Sequence, residues 1–243
     1  MNPSTLQEAR KLFDTVKRLA ARQKRITTII APPLAFLADL SLSYSGTNIS
    51  FAAQDVFFEM KGAHTGEVSA PMLGSIGAEY VIIGHSERRA RGERNEDIHK
   101  KMRIALAEGL KVIFCVGEQE RDQNASYLAF ITEELISALS GVSKESLKRI
   151  IIVYEPIWAI GKRAEDAMSP HDMHEMSLFI RKVLATRYDR ESALSARVLY
   201  GGSVEPTNAL KLLSEGDIQG FLVGHASLSP QDFKEILSIA HSL

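Results

Sequence analysis

Ile150-Ile151-Ile152-Val153-Tyr154-Glu155-Pro156-Ile157-Trp158-Ala159-Ile160-Gly161 is the stretch whose reading decides the fold. Its opening run is apolar and mostly β-branched, the composition of a strand buried on both faces of a parallel sheet. Pro156 has no backbone donor, so the ladder stops there. Glu155 is thereby left at the C-terminal tip of a buried strand, the end at which α/β folds carry their chemistry. A Glu155 paired with a surface cation is the competing reading, of equal standing until other residues are considered.

Outward from this stretch, strand and helix patterns alternate. Short apolar runs predict strands at 26–31, 49–53, 80–84, 111–116, 150–154, 196–200 and 220–223. Between them, apolar residues recur at helical spacing, as in Leu6, Ala9, Leu12, Phe13 and Val16 or Ile98, Met102, Ala105 and Leu106. Helices are expected at about 4–22, 33–44, 95–108, 125–139, 169–188 and 207–213, with a short one at 86–89 and a terminal one opened by Pro230. Such alternation implies a parallel sheet with helical crossovers. An open doubly wound sheet would carry a glycine-rich phosphate loop after its first strand. The first strand here ends in Ala31-Pro32-Pro33 instead. The fold expected is therefore an α/β (β/α)8 barrel whose first strand is missing from the sequence, since the pattern begins inside a helix.

Bulk properties narrow the function classes. The chain has 243 residues, 45% hydrophobic and 24% charged, enough for one large core. No Gly/Ser-rich linker divides it, so residues 1–243 are read as one domain. A net charge of -1 provides no global basic field for nucleic acid or an anionic membrane. The single Cys115 rules out an intrachain disulfide framework. No apolar run reaches membrane-spanning length, and no signal-peptide pattern opens the chain. The expected setting is cytoplasmic.

Three strand tips carry groups that suit one another. His85 follows the 80–84 strand and precedes a short helix, where the positive end of the helix dipole disfavours protonation and leaves a neutral hydrogen-bond donor. Gly201-Gly202-Ser203 and Gly224-His225 are tips at which backbone N–H groups can turn towards a phosphate. Each is weak alone, because histidines after strands are often structural and glycine pairs are ordinary turns. The seven histidines show no metal-binding spacing, and Cys115, inside an apolar strand, reads as a core residue. The His85-Ser86-Glu87 triplet lacks a serine-hydrolase elbow.

Together, several segments resemble the triosephosphate isomerase family: Tyr154–Gly161, Gly84–Arg89, Tyr200–Val204, Ala52–Asp55, Thr65–Ser69 and Gly220–Gly224. They occur in the family's order with near-family spacing over almost the whole chain. The resemblance implies a (β/α)8 barrel that interconverts dihydroxyacetone phosphate and D-glyceraldehyde 3-phosphate without cofactor or metal. It implies Glu155 as the base, His85 as the electrophile, and Glu87 beside it holding a basic partner. Gly161, Ser203, Gly224 and His225 would bind the phosphate, residues from Pro156 to about Met168 would form a lid, and a homodimer would form through the loop around Thr65.

Departures from the family accompany the likeness. The family's substrate-binding Asn-x-Lys precedes a Met-Asn pair that here is Met1-Asn2, so it has no counterpart. The expectation is that the natural gene starts upstream of Met1. The lid reads Lys162-Arg163-Ala164-Glu165-Asp166-Ala167 where the family has Thr-Gly-Lys-Thr-Ala, and His225 replaces a usual second glycine. The alternative these departures leave open is an impaired or inactive barrel that binds small phosphorylated ligands.

Overall fold

The computed structural model describes residues 2–23, 25–162 and 167–243. It contains six parallel strands in sequence order across one sheet: β1 (Thr28–Ile30), β2 (Ile49–Ala53), β3 (Tyr80–Ile83), β4 (Lys111–Val116), β5 (Ile150–Tyr154) and β6 (Arg197–Tyr200). The connecting helices are α1 (Leu6–Ala20), α2 (Leu34–Leu42), α3 (Ala70–Ser75), α4 (Ser86–Arg89), α5 (Asn95–Ala107), α6 (Ser126–Ala138), α7 (Lys144–Leu147), α8 (Pro170–Arg187), α9 (Arg190–Ser195), α10 (Pro206–Glu215) and α11 (Pro230–Ser242). The α/β class and the parallel sheet are thus as the alternating pattern predicts.

Side chains alternate along every central strand, and both sides are apolar. Val112, Phe114 and Val116, with Ile150, Ile152 and Tyr154, pack into the layer shared with the helices. Ile113, Cys115, Ile151 and Val153 join Ala52, Tyr80 and Ile82 in a second cluster on the opposite face. A period of two with both faces buried explains why the sequence reads as continuous apolar runs. Counting on from Ile151 and Val153, Glu155 has the parity of that second face.

Local signals set the helix ends. Thr5 Oγ1 accepts from the Glu8 N–H at 3.2 Å, while the Glu8 carboxylate reaches back to the Ser4 N–H at 2.8 Å. That reciprocal arrangement satisfies donors that the first turn leaves free. Proline opens α8, α10 and α11, where its missing N–H costs nothing.

The expected strand over 220–223 is not formed as a strand. Phe221 makes a single parallel bridge to Tyr200, through Tyr200 N–H to the Gly220 carbonyl at 3.1 Å and Leu222 N–H to the Tyr200 carbonyl at 2.9 Å. The segment has a ladder on one side alone and is bounded by Gly220 and Gly224, which weakens strand propagation. The eight-stranded closure is likewise not reached among the described residues. The outer edge of β1 and the 220–223 segment instead line a common cleft of about 1950 Å³. The short helices α3, α7 and α9 escaped the sequence reading, being too brief for helical periodicity to register.

Candidate active site

The β5 ladder carries Glu155 just past its last paired residue, with the Glu155 N–H bonded to the Val116 carbonyl at 2.8 Å. Only 1% of the residue is exposed. Two glycines let the neighbouring strand tips close on it. A Cβ at Gly117 would lie 1.8 Å from the Glu155 carbonyl oxygen, and one at Gly201 would lie 2.8 Å from Glu155 Cγ. A larger residue at 117 would have to move the Glu155 backbone, and one at 201 the Val153 and Glu155 side chains.

The carboxylate is held at one oxygen and open at the other. Oε2 accepts the Ser86 backbone N–H at 2.9 Å. Among the described residues Oε1 has no hydrogen-bond partner, and His85 Nε2 stands 3.2 Å away. Burial pushes the Glu155 carboxyl above the usual range, and His85, the Ser86 N–H and the Cys115 thiol draw it part of the way back. A more basic carboxylate with a free lone pair is suited to take a proton.

His85 is the residue that caps α4. Its Nδ1 accepts the Glu87 backbone N–H at 3.2 Å, which fixes the tautomer with hydrogen on Nε2, the atom nearest Glu155. The ring is about a third exposed and lines the cleft. A donor that lines the cleft thus meets a buried carboxylate at the strand tips.

Gly161, Ser203, Gly224 and His225 all line that cleft, as does Glu87. Ser203 Oγ donates to the Lys162 carbonyl at 2.5 Å, tying the β6 tip to the segment after Trp158. Gly161 has φ +74, a conformation that glycine adopts readily. Gly224 and His225 are exposed at the start of a 3-10 turn, His225–Leu228. Glu87 is exposed, and among the described residues no ion pair holds its carboxylate; its backbone N–H is what reaches the site. Residues 163–166 of the expected lid lie outside the described residues.

The strand-tip carboxylate and histidine, and the glycines that admit them, match a whole-chain likeness. The sequence model of the family described as triosephosphate isomerase matches residues 1–240. The chain belongs to the triosephosphate isomerase family. A triosephosphate isomerase of Geotalea uraniireducens is 42% identical over 238 residues, covering 96% of this chain and 93% of its own. One from Caldanaerobacter subterraneus is 40% identical over 96% of this chain and 94% of its own, and one from Dictyoglomus thermophilum is 43% identical over 86% and 84%. Family membership makes the chain an isomerase by class.

The structure adds three residues around this family site that sequence reading passed over. Glu118, at the β4 tip, is buried and accepts from Tyr154 Oη at 2.7 Å, Trp158 Nε1 at 2.9 Å and Arg121 Nε at 2.9 Å. Glu134 on α6 and Arg89 on α4 meet at 2.9 Å behind the strand tips. The signal for Glu134 was present, because it shares the helical face of Ile131, Leu135 and Ala138, where a carboxylate is out of place.

Proposed function

We propose that this chain interconverts dihydroxyacetone phosphate and D-glyceraldehyde 3-phosphate by proton transfer through an enediolate. The observation that carries the proposal is the buried Glu155, with Oε1 unpartnered among the described residues and His85 Nε2 at 3.2 Å. Glu155 takes the proton from one substrate carbon and returns it to the next. His85 donates from Nε2 to the substrate oxygen, where charge develops, since a base alone leaves the enediolate unstabilised. Gly161, Ser203, Gly224 and His225 supply the phosphate subsite from their places along the cleft. Glu87 contributes through the N–H that fixes the His85 tautomer.

The finer architecture belongs to the same proposal. Sequential parallel strands, a further bridge at Phe221 and two edges facing one cleft support a (β/α)8 barrel lacking its first strand among the described residues. A homodimer through the loop around Thr65 is part of the reading. That loop projects from a parallel bridge of Phe57 with Ser69, and carries the Phe58 and His64 rings tilted against Phe57, with Met60 exposed.

The decisive test is Glu155→Gln, which keeps the shape and removes the base. Initial rates of glyceraldehyde 3-phosphate isomerisation should fall about 10³-fold, the span expected for a general base. A Glu155→Gln protein retaining a tenth of the rate would sink the assignment. Ligand-dependent thermal stabilisation of the unaltered chain with no turnover would favour the binding-only alternative.

A further inference from the structure

Behind the reacting residues lies a buried charge pair to which the chemistry assigns no direct part. Glu134 Oε1 stands 2.9 Å from Arg89 Nη1 as an ion pair without hydrogen-bond geometry, and its Oε2 accepts the Gly117 backbone N–H at 3.0 Å. Arg89 in turn donates through Nε to the Gly84 carbonyl at 2.8 Å and through Nη1 to Asn95 Oδ1 at 2.9 Å. Gly84 is the residue before His85, and Gly117 is the residue whose backbone lies against Glu155. One chain of contacts therefore runs from the tip of β3, through Arg89 and Glu134, to the tip of β4. Both ends touch the two residues that must face each other.

We propose that Arg89 and Glu134 are positioning residues, a buried brace that sets the separation of His85 from Glu155. The brace deepens the isomerase reading and rests on it. Space supports the assignment. Gly84 has φ +77, and a Cβ there would meet the Cys115 carbonyl at 3.0 Å and Arg89 Nη2 at 3.3 Å, so the guanidinium lies hard against the β3 tip. The energetics point the same way. Glu134 is 1% exposed, and burial pushes its carboxyl up to about 7 despite Arg89 and the Gly117 N–H, with Glu155 and Glu118 adding to the rise. A carboxylate this reluctant to ionise is a poor stabilising device, and fixing neighbours is the use that remains.

The groups facing the pair are Gly117 N–H, Cys115 and Glu118 from β4 and its tip, Asn95 from α5, and Glu155 from the tip of β5. Protonation of Glu134 removes a negative charge that acts on Glu155, and its loss makes Glu155 a weaker base. The acid side of the kcat profile should therefore carry an inflection near 7 that belongs to Glu134.

Glu134→Gln is the variant, made in the full chain. The expected result is a loss of about ten-fold in kcat with KM within two-fold, less than the roughly 100-fold that a misplacement of about 1 Å at a reacting group costs. The inflection near 7 should vanish, and a crystal structure should show His85 Nε2 farther than 3.2 Å from Glu155 Oε1. An unchanged kcat and an unchanged separation, with or without a lowered Tm, overturn the proposal. Arg89→Lys is the second variant; it keeps the charge but cannot span Gly84, Asn95 and Glu134, and should show the same kcat loss. Glu155→Gln separates the two readings: high residual turnover there removes the base assignment, while the crystal structure of Glu134→Gln still decides whether the brace sets the separation.

Discussion

Gly117→Ala tests the reading of the strand tips most directly. The added Cβ would lie 1.8 Å from the Glu155 carbonyl oxygen, whereas real Cβ contacts hardly ever fall below 3.0 Å. At least about 1.2 Å of movement is therefore required, and the obstructing atom is backbone, which cannot swing aside as a side chain would. Retreat is limited, because Glu155 Cγ already faces Gly201 and the Glu155 N–H is bonded to Val116. A misplacement of about 1 Å at a reacting group costs about 100-fold in rate, or about 2.7 kcal/mol of barrier. The assay is the initial rate of triose-phosphate isomerisation at saturating substrate, with circular dichroism to establish folding. Gly141→Ala is the control for backbone strain without a clash: Gly141 has φ +71, which alanine adopts only at a cost, and nothing lies within 4 Å of the added Cβ. It should lose about 1–2 kcal/mol of stability and no turnover. A folded Gly117→Ala protein with turnover within three-fold of the parent would refute the claim that this glycine seats Glu155.

Lys101→Met should destabilise the chain by about 3 kcal/mol in urea unfolding, because it strands the buried Glu93 carboxylate and leaves the half-buried Asp55 with Arg88 alone. Lys101 is buried, bonded to Asp55 Oδ1 at 2.6 Å and paired with Glu93; a loss below about 1 kcal/mol would show the network to be dispensable. Glu134 gives a pH-dependent prediction. Its folded-state pKa of about 7 lies above the ordinary 4.5, so its contribution to stability is full below about pH 4.5 and is lost as pH rises to about 7. The difference is about 3 kcal/mol, and Glu134→Gln should gain on the parent by that order across the window. Parallel stability curves for the two proteins would contradict it.

How much was legible in the sequence follows from the length scale of each signal. Strands β3 to β5 were readable because both faces are buried, so the runs are continuous and stop at or next to Gly or Pro. The 220–223 segment has the same composition but lacks a second neighbour, and strand formation depends on neighbours that composition does not report. His85 and Glu155 were legible as strand-tip residues, whereas their approach at 3.2 Å depends on the glycines at 117 and 201. Arg89, Glu118 and Glu134 were passed over because each looks like an ordinary surface charge in one dimension. Glu134 and Lys101 nevertheless sit on the faces of Ile131-Leu135-Ala138 and Ile98-Met102-Ala105. A lone charge on an apolar helical stripe is a buried ion pair in waiting, and it deserved that reading.

The site works against the stability of the fold that holds it. Glu155 is nearly wholly buried, and burial raises the free energy of its charged form, which is what makes it a better base. Left to itself, such a group would drift towards solvent or take a hydrogen-bond donor at each oxygen. Ser86 N–H satisfies Oε2 only, while Gly117 and Gly201 bring backbone and strand tip close enough to deny the side chain other places. Glu134 repeats the pattern one layer back, a second costly carboxylate whose partners are the residues adjoining His85 and Glu155. Two buried carboxylates with raised pKa values are hard to justify as stabilisers and simple to justify as a base and its support. Replacing both by uncharged isosteres should therefore yield a more stable protein above pH 7 that has lost the chemistry.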